Sequence, residues 1–108
     1  MKFVKNSGVN FAAQESFEIY DGSTKVYTSP VFANSEERVI EQCIRTYRNN
    51  LFTIKLIATS VDSWYSGSYL TIYGQYGNVV FKNMLTASTE ETHQLSLYYG
   101  ISESAQWR

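Results

Sequence analysis

Few side chains in this sequence can do acid–base, nucleophilic or metal chemistry. The 108 residues hold one histidine (His93), one cysteine (Cys43) and two aspartates (Asp21 and Asp62); the remaining side-chain carboxylates are glutamates. Nucleophilic hydrolysis would need a serine or Cys43 beside His93, oriented by an acid. The acids with loop freedom are Asp21, Asp62, Glu36, Glu37, Glu90 and Glu91, yet no Gly-x-Ser-x-Gly elbow places a nucleophile near the imidazole. His93 sits near a strand start with inward parity and reads as a partly buried structural residue. Glycoside hydrolysis needs two carboxylates flanking a cleft. The pairs Glu36/Glu37 and Glu90/Glu91 fall in equivalent loops, where solvated acids are the commoner outcome. His93, Cys43 and the two aspartates lack metal-ligand spacing, and no cofactor is expected. The chain is expected not to be an enzyme, with a small hydrolase using His93 as the weakest alternative.

Binding chemistry is better supplied. The chain has nine Tyr, six Phe and two Trp. Flat rings stack on the C–H faces of sugars, and tyrosine adds a hydroxyl. Tyr69 and Tyr73 share one strand face, and Trp64, Tyr65 and Tyr76 lie in loops beside that strand. The competing reading has Trp64 pinning its loop to the core and the tyrosines covering a sheet or meeting a neighbouring domain. Arg45 and Arg48 flank Tyr47, but a net charge of -1 opposes the positive groove that single-stranded nucleic acid requires. No apolar run approaches the ~20 residues of a membrane-spanning helix, so no membrane insertion is expected. No Asn-x-Ser/Thr sequon is present.

The elements that must position these residues read as strands. Short runs rich in Tyr, Val, Ile, Phe and Thr recur between turn clusters, and the only proline is Pro30. The pattern predicts strands near 17–20, 24–29, 37–44, 51–58, 69–73, 79–84 and 92–98. In 51–58, Phe52, Ile54, Leu56 and Ala58 share one face, with Thr53 and Lys55 on the other. In 69–73, Leu70 and Ile72 face inward and Tyr69, Thr71 and Tyr73 outward. The 37–44 run is ambiguous, with Val39 and Cys43 on one parity and Ile40 and Ile44 on the other. Ser35 to Arg45 is the only helical competitor, and its β-branched residues favour a strand. Asp21-Gly22 and 74–78 supply the hairpin turns.

The segment Phe17-Glu-Ile-Tyr-Asp-Gly-Ser-Thr-Lys-Val-Tyr lies over Leu70-Thr-Ile-Tyr-Gly-Gln-Tyr-Gly-Asn-Val-Val-Phe. Ile19 matches Ile72, Tyr20 matches Tyr73 and, after one extra turn residue, Val26 matches Val80. Ala33 to Glu37 then matches Ala87 to Glu91. Each copy reads strand, turn, strand, acidic loop, strand. Two such halves face to face make a β-sandwich. The expected fold is all-β: one antiparallel, jelly-roll-like sandwich of seven or eight strands over residues 1–108.

Residues 51–74, containing Asp62-Ser-Trp64-Tyr-Ser-Gly67-Ser-Tyr-Leu-Thr-Ile, resemble the strand–loop–strand unit of β-sandwich modules in secreted and surface proteins of trichomonad-like protists. That unit typically reads Asp-Ser-x-Gly-Asp-Gly/Ser-Trp-x-x-Gly-Ser-Tyr. The likeness is strongest over 51–83 and extends over 17–97. It implies an extracellular or cell-surface setting and a non-enzymatic, adhesive or ligand-binding module. The family's first loop aspartate falls on Ala58 and its loop glycine on Val61, leaving Asp62. A calcium ion wants six to eight oxygens, so no metal, or affinity near ~10⁻³ M at best, is expected. Family members often carry a second cysteine near the last strand; the repeat places Leu97 there, so Cys43 is expected to be a small buried hydrophobe.

Met1 to Asn6 is charged and is followed by no apolar stretch of ~7–15 residues, so it is not a signal peptide. Ending on Trp107-Arg108, the chain reads as a fragment of a longer multidomain protein. The candidate ligand-binding residues are Asp62, Trp64, Tyr65, Tyr69, Tyr73 and Tyr76. The expected partners are a glycan or protein ligand, adjacent domains, or further copies of the chain.

Overall fold

A computed structural model describes residues 1–43, 51–59, 61, 63–74, 76–86 and 88–96. Eight strands account for most of it: β1 (Lys2–Asn6), β2 (Glu15–Asp21), β3 (Thr24–Thr28), β4 (Glu37–Glu41), β5 (Leu51–Ala58), β6 (Tyr69–Tyr73), β7 (Val79–Asn83) and β8 (Glu90–Ser96). They form two four-stranded antiparallel sheets. Sheet A has the order β4-β1-β6-β7 and sheet B the order β3-β2-β5-β8. The expected all-β sandwich is therefore the observed one.

The strand orders carry the internal duplication further than the repeat in the sequence does. Exchanging β1–β4 with β5–β8 turns sheet A into sheet B read in reverse. In each half, a hairpin stays in one sheet and the next strand crosses to the other. Both hairpins shift register at the same place, between Ile19 and Tyr20 in one and between Ile72 and Tyr73 in the other. The extra residue makes a bulge. Gly22 and Gly77 turn these hairpins at positive φ, 66° and 81°, which a side chain would oppose. The acidic loops align one residue differently from the sequence match. Ile40 pairs with Phe3 and His93 with Ile54, so Glu37 corresponds to Glu90 rather than to Glu91.

The core follows from strand alternation. Phe17, Ile19, Phe52, Ile54, Leu56, Leu70 and Ile72 are all buried between the sheets. The Phe3 and Phe17 rings meet edge-on at 5.2 Å, the arrangement that aligns a positive ring edge with a negative ring face. Ile40 packs on this core while Val39 is exposed, which resolves the ambiguous parity of β4.

Three expectations need correction. Met1–Asn6 carries a strand, β1, and it is internal to sheet A, paired with β4 on one side and β6 on the other. Its five residues include two lysines, which masked the alternation of Phe3 and Lys5. Thr71 has outward parity but is buried, because Val4 and Lys82 flank it on the neighbouring strands. Cys43 is exposed: it shares the outward parity of Val39 and lies beyond the end of β4 at Glu41. Ile44, Arg45, Tyr47, Arg48, Leu97 and the terminal Trp107 lie outside the described residues.

Candidate functional site

The two outer faces of the sandwich differ in chemistry. On sheet B, Glu18, Lys55 and Glu90 lie across β2, β5 and β8, and their charges pair. Lys55 meets Glu90 at 3.3 Å, and Lys25 meets Glu18 at 3.2 Å. The Tyr20 hydroxyl donates to Glu18 at 2.7 Å, with Lys55 Nζ 5.2 Å from the centre of its ring. That hydrogen bond, first among several contacts, holds the Glu18 carboxyl below the usual carboxylate range and raises the Tyr20 phenol. This face is internally satisfied.

Sheet A presents three rows, fixed by register. One runs Glu41, Lys2, Tyr73, Val79; the next Val39, Val4, Thr71, Lys82; the third Glu37, Asn6, Tyr69. Lys82 Nζ stands 5.0 Å from the Tyr69 ring centre and Lys2 Nζ 5.4 Å from that of Tyr73. Each tyrosine is half-buried, with one lysine ammonium near its ring. The middle row is apolar at its β4 and β1 positions, Val39 and Val4, and Val39 at its edge is 53 % exposed. Beyond Lys2 an open groove of about 380 Å³ is lined by Met1, Lys2, Glu41, Gln42, Cys43 and Gly74.

The six candidate residues do not form one patch. Tyr69 and Tyr73 share the outer face of β6. Tyr76 is 74 % exposed in the β6–β7 turn, at the Tyr73 end of that face. Tyr65 lies at the opposite pole, 5.9 Å from Phe11 between ring centres. Trp64 is 2 % exposed and belongs to the core. Its indole N–H donates to the Ile57 carbonyl at 2.9 Å, and its backbone N–H to Leu85. Its ring is closed to solvent, in agreement with the loop-pinning reading. Asp62 lies outside the described residues. His93 is partly buried, edge-on to Phe81 at 5.3 Å between ring centres and 3.2 Å from Glu91. Among the described residues, no group of three or more His, Cys, Asp or Glu side chains is placed to hold a metal.

The sequence reading missed a buried polar centre between the sheets. Lys5 of β1 and Glu15 of β2 meet at 2.6 Å, both side chains sealed from solvent. Lys5 Nζ also donates to Ser7 Oγ at 3.0 Å and to the Asn6 carbonyl at 3.3 Å. It stands 4.8 Å from the ring centres of both Phe32 and Trp64. Burial pushes the Lys5 ammonium below the usual lysine range, against the Glu15 carboxylate, which holds it up. The other Glu15 oxygen accepts the backbone N–H of Tyr65 at 2.8 Å. Only the parity of Lys5, two residues after Phe3, could have signalled this.

Comparison with known proteins finds no matching family model, no matching curated protein and no matching solved structure.

Proposed function

We propose that this domain is a non-enzymatic binding module whose contact surface is the outer face of sheet A, centred on Tyr69 and Tyr73. The observation that carries the reading is the contrast between faces. The charges on sheet B are paired with one another, whereas sheet A holds two lysine-backed tyrosines around the apolar pair Val39 and Val4. Aromatic groups fixed on strands lose little freedom when they bind. Tyr69 and Tyr73 are four residues apart on one strand, roughly 13 Å along it, a span suited to an extended ligand. A glycan fits this chemistry: rings for C–H faces, with phenol and lysine donors beside them.

A cell-surface, adhesive setting follows from the resemblance of residues 51–83 to protist surface modules. The exposed Val39 on edge strand β4 favours a second reading, in which the same face packs on a neighbouring domain or another copy. A glycan array separates the two. Selective binding that is lost in a folded Tyr73→Ala protein supports ligand recognition. Concentration-dependent association with no glycan signal supports assembly. Retention of binding in both Tyr69→Ala and Tyr73→Ala would overturn the assignment of this face.

A further inference from the structure

The buried Lys5–Glu15 contact has the parts of a reaction centre as well as those of an ion pair. Under the pseudo-two-fold relation, Lys5 stands where Leu56 stands in the other half: Lys5 pairs with Leu70 and Leu56 with Phe17. One half thus fills the seat with leucine and the other with a buried charge. A buried ion pair gains little over apolar packing of the same volume, so stability alone does not account for the exchange. The chain also has a single cysteine, and hence no internal disulfide to tie one sheet to the other.

We propose that Lys5 Nζ and Glu15 Cδ condense into an intramolecular amide, a covalent link between sheets A and B. The contact geometry supports each step. Nζ has three polar neighbours: the Asn6 carbonyl, Ser7 Oγ and Glu15 Oε1. Once the ammonium proton passes to Glu15 across the 2.6 Å contact, the amine keeps two hydrogens. The carbonyl and Ser7 Oγ accept these, which leaves the nitrogen lone pair on the Glu15 side, from where it turns from Oε1 to Cδ.

Attack on Cδ forms the C–N bond and places negative charge on Oε2. The Tyr65 N–H already donates to that oxygen at 2.8 Å and stabilises the developing oxyanion. The C–O bond to the protonated Oε1 then breaks, and the leaving hydroxyl takes a proton from the nitrogen, with Ser7 Oγ beside it as relay. Ammonium plus carboxylate gives amide plus one water, and no oxidant or other reactant enters. Phe32 and Trp64 wall the site against solvent. Fixed reactants held at hydrogen-bond distance replace the concentration that such a condensation lacks in water. Forming the amide also removes two buried charges, which gives the reaction a thermodynamic pull in a dry site.

The test is intact-mass spectrometry of the full chain, folded and then denatured, followed by trypsin. The expected result is a protein one water lighter than its sequence mass. Trypsin fails to cut after Lys5 and releases Phe3–Lys25 as one closed peptide, with fragment ions linking Lys5 to Glu15. Imide formation at Asp21-Gly22 would also lose one water but would leave Lys5 cleavable, so the digest separates the two. Lys5→Arg keeps the positive charge without a nucleophilic amine, and is expected at full sequence mass. Full sequence mass in the wild-type chain after incubation in the folded state, with normal cleavage after Lys5, overturns the proposal whether or not the variant folds.

Discussion

Trp64 decides between two views of the 63–68 loop, and its replacement has a calculable cost. The indole is 2 % exposed, its N–H donates to the Ile57 carbonyl at 2.9 Å, and its ring lies beside the Lys5 ammonium. Trp64→Ala removes a buried aromatic and leaves a cavity, a change that costs about 3–5 kcal/mol. A domain of this size shifts its melting midpoint by ~4–8 °C per kcal/mol, so the midpoint should fall by roughly 12–40 °C. Against a total stability of about 5–15 kcal/mol, the variant loses its fold at room temperature only if the wild type starts near the lower end. Trp64→Phe keeps a ring in the seat but leaves the Ile57 carbonyl without its donor, at about 1–3 kcal/mol. Thermal melts by near-ultraviolet circular dichroism give the midpoints, and ligand binding is then measured below all of them. The expected order is wild type, Phe, Ala in stability, with binding by the Phe variant unchanged while it is folded. An unchanged midpoint in Trp64→Ala together with lost binding would refute the reasoning, because it would place the ring in the ligand site.

Three further outcomes follow from particular contacts. A Cβ on Gly8 would meet the Ser66 carbonyl oxygen at 2.6 Å and Tyr65 Cδ2 at 2.7 Å; Gly8→Ala should therefore cost about 1–3 kcal/mol by overpacking, read from chemical denaturation. Glu18 has a depressed folded pKa, owing first to the Tyr20 hydroxyl, so its contribution to stability is present above its unfolded pKa and is lost as pH falls through the folded value. Tyr20→Phe should raise the Glu18 pKa in a carboxyl NMR titration and flatten the acid limb of the stability profile, by at most ~1 kcal/mol for a half-buried group at the sheet surface. Phe11 is half-exposed with φ 65°, a conformation that favours glycine, so Phe11→Gly should leave the melting midpoint unchanged or raise it.

The architecture was legible wherever alternation was strong. β5 carries Phe52, Ile54, Leu56 and Ala58 on one parity over eight residues, and β6 carries Leu70 and Ile72; both occur with the expected bounds. The repeat was legible because its hairpins keep their turn glycines and paired isoleucines. β1 was not, because a five-residue strand with a lysine on its buried face breaks the polarity pattern that marks a half-buried strand. The buried face of that lysine is set by pairing with β4 and β6, contacts remote in sequence. For the same reason nothing in the local sequence marks Glu15 as buried. In the candidate site, Tyr69 and Tyr73 were placed on an outer face by local alternation alone. The separation of Tyr65 from Tyr76 by the length of the sandwich, and the enclosure of Trp64, depend on how the loops close over the ends of the sheets.

The central claim is that binding belongs to one face of a two-faced sandwich, and a matched pair of variants tests it. Tyr73 and Tyr20 are equivalent in the two halves, each beside a bulge and each under a lysine, but they lie on opposite sheets. Affinity for the array-selected glycan, measured by titration calorimetry with Tyr73→Ala and Tyr20→Ala proteins of equal helix-free circular dichroism, is the direct measurement. The account predicts at least a tenfold loss, about 1.4 kcal/mol, in Tyr73→Ala and wild-type affinity in Tyr20→Ala. Equal losses in both, or loss in Tyr20→Ala alone, would contradict it.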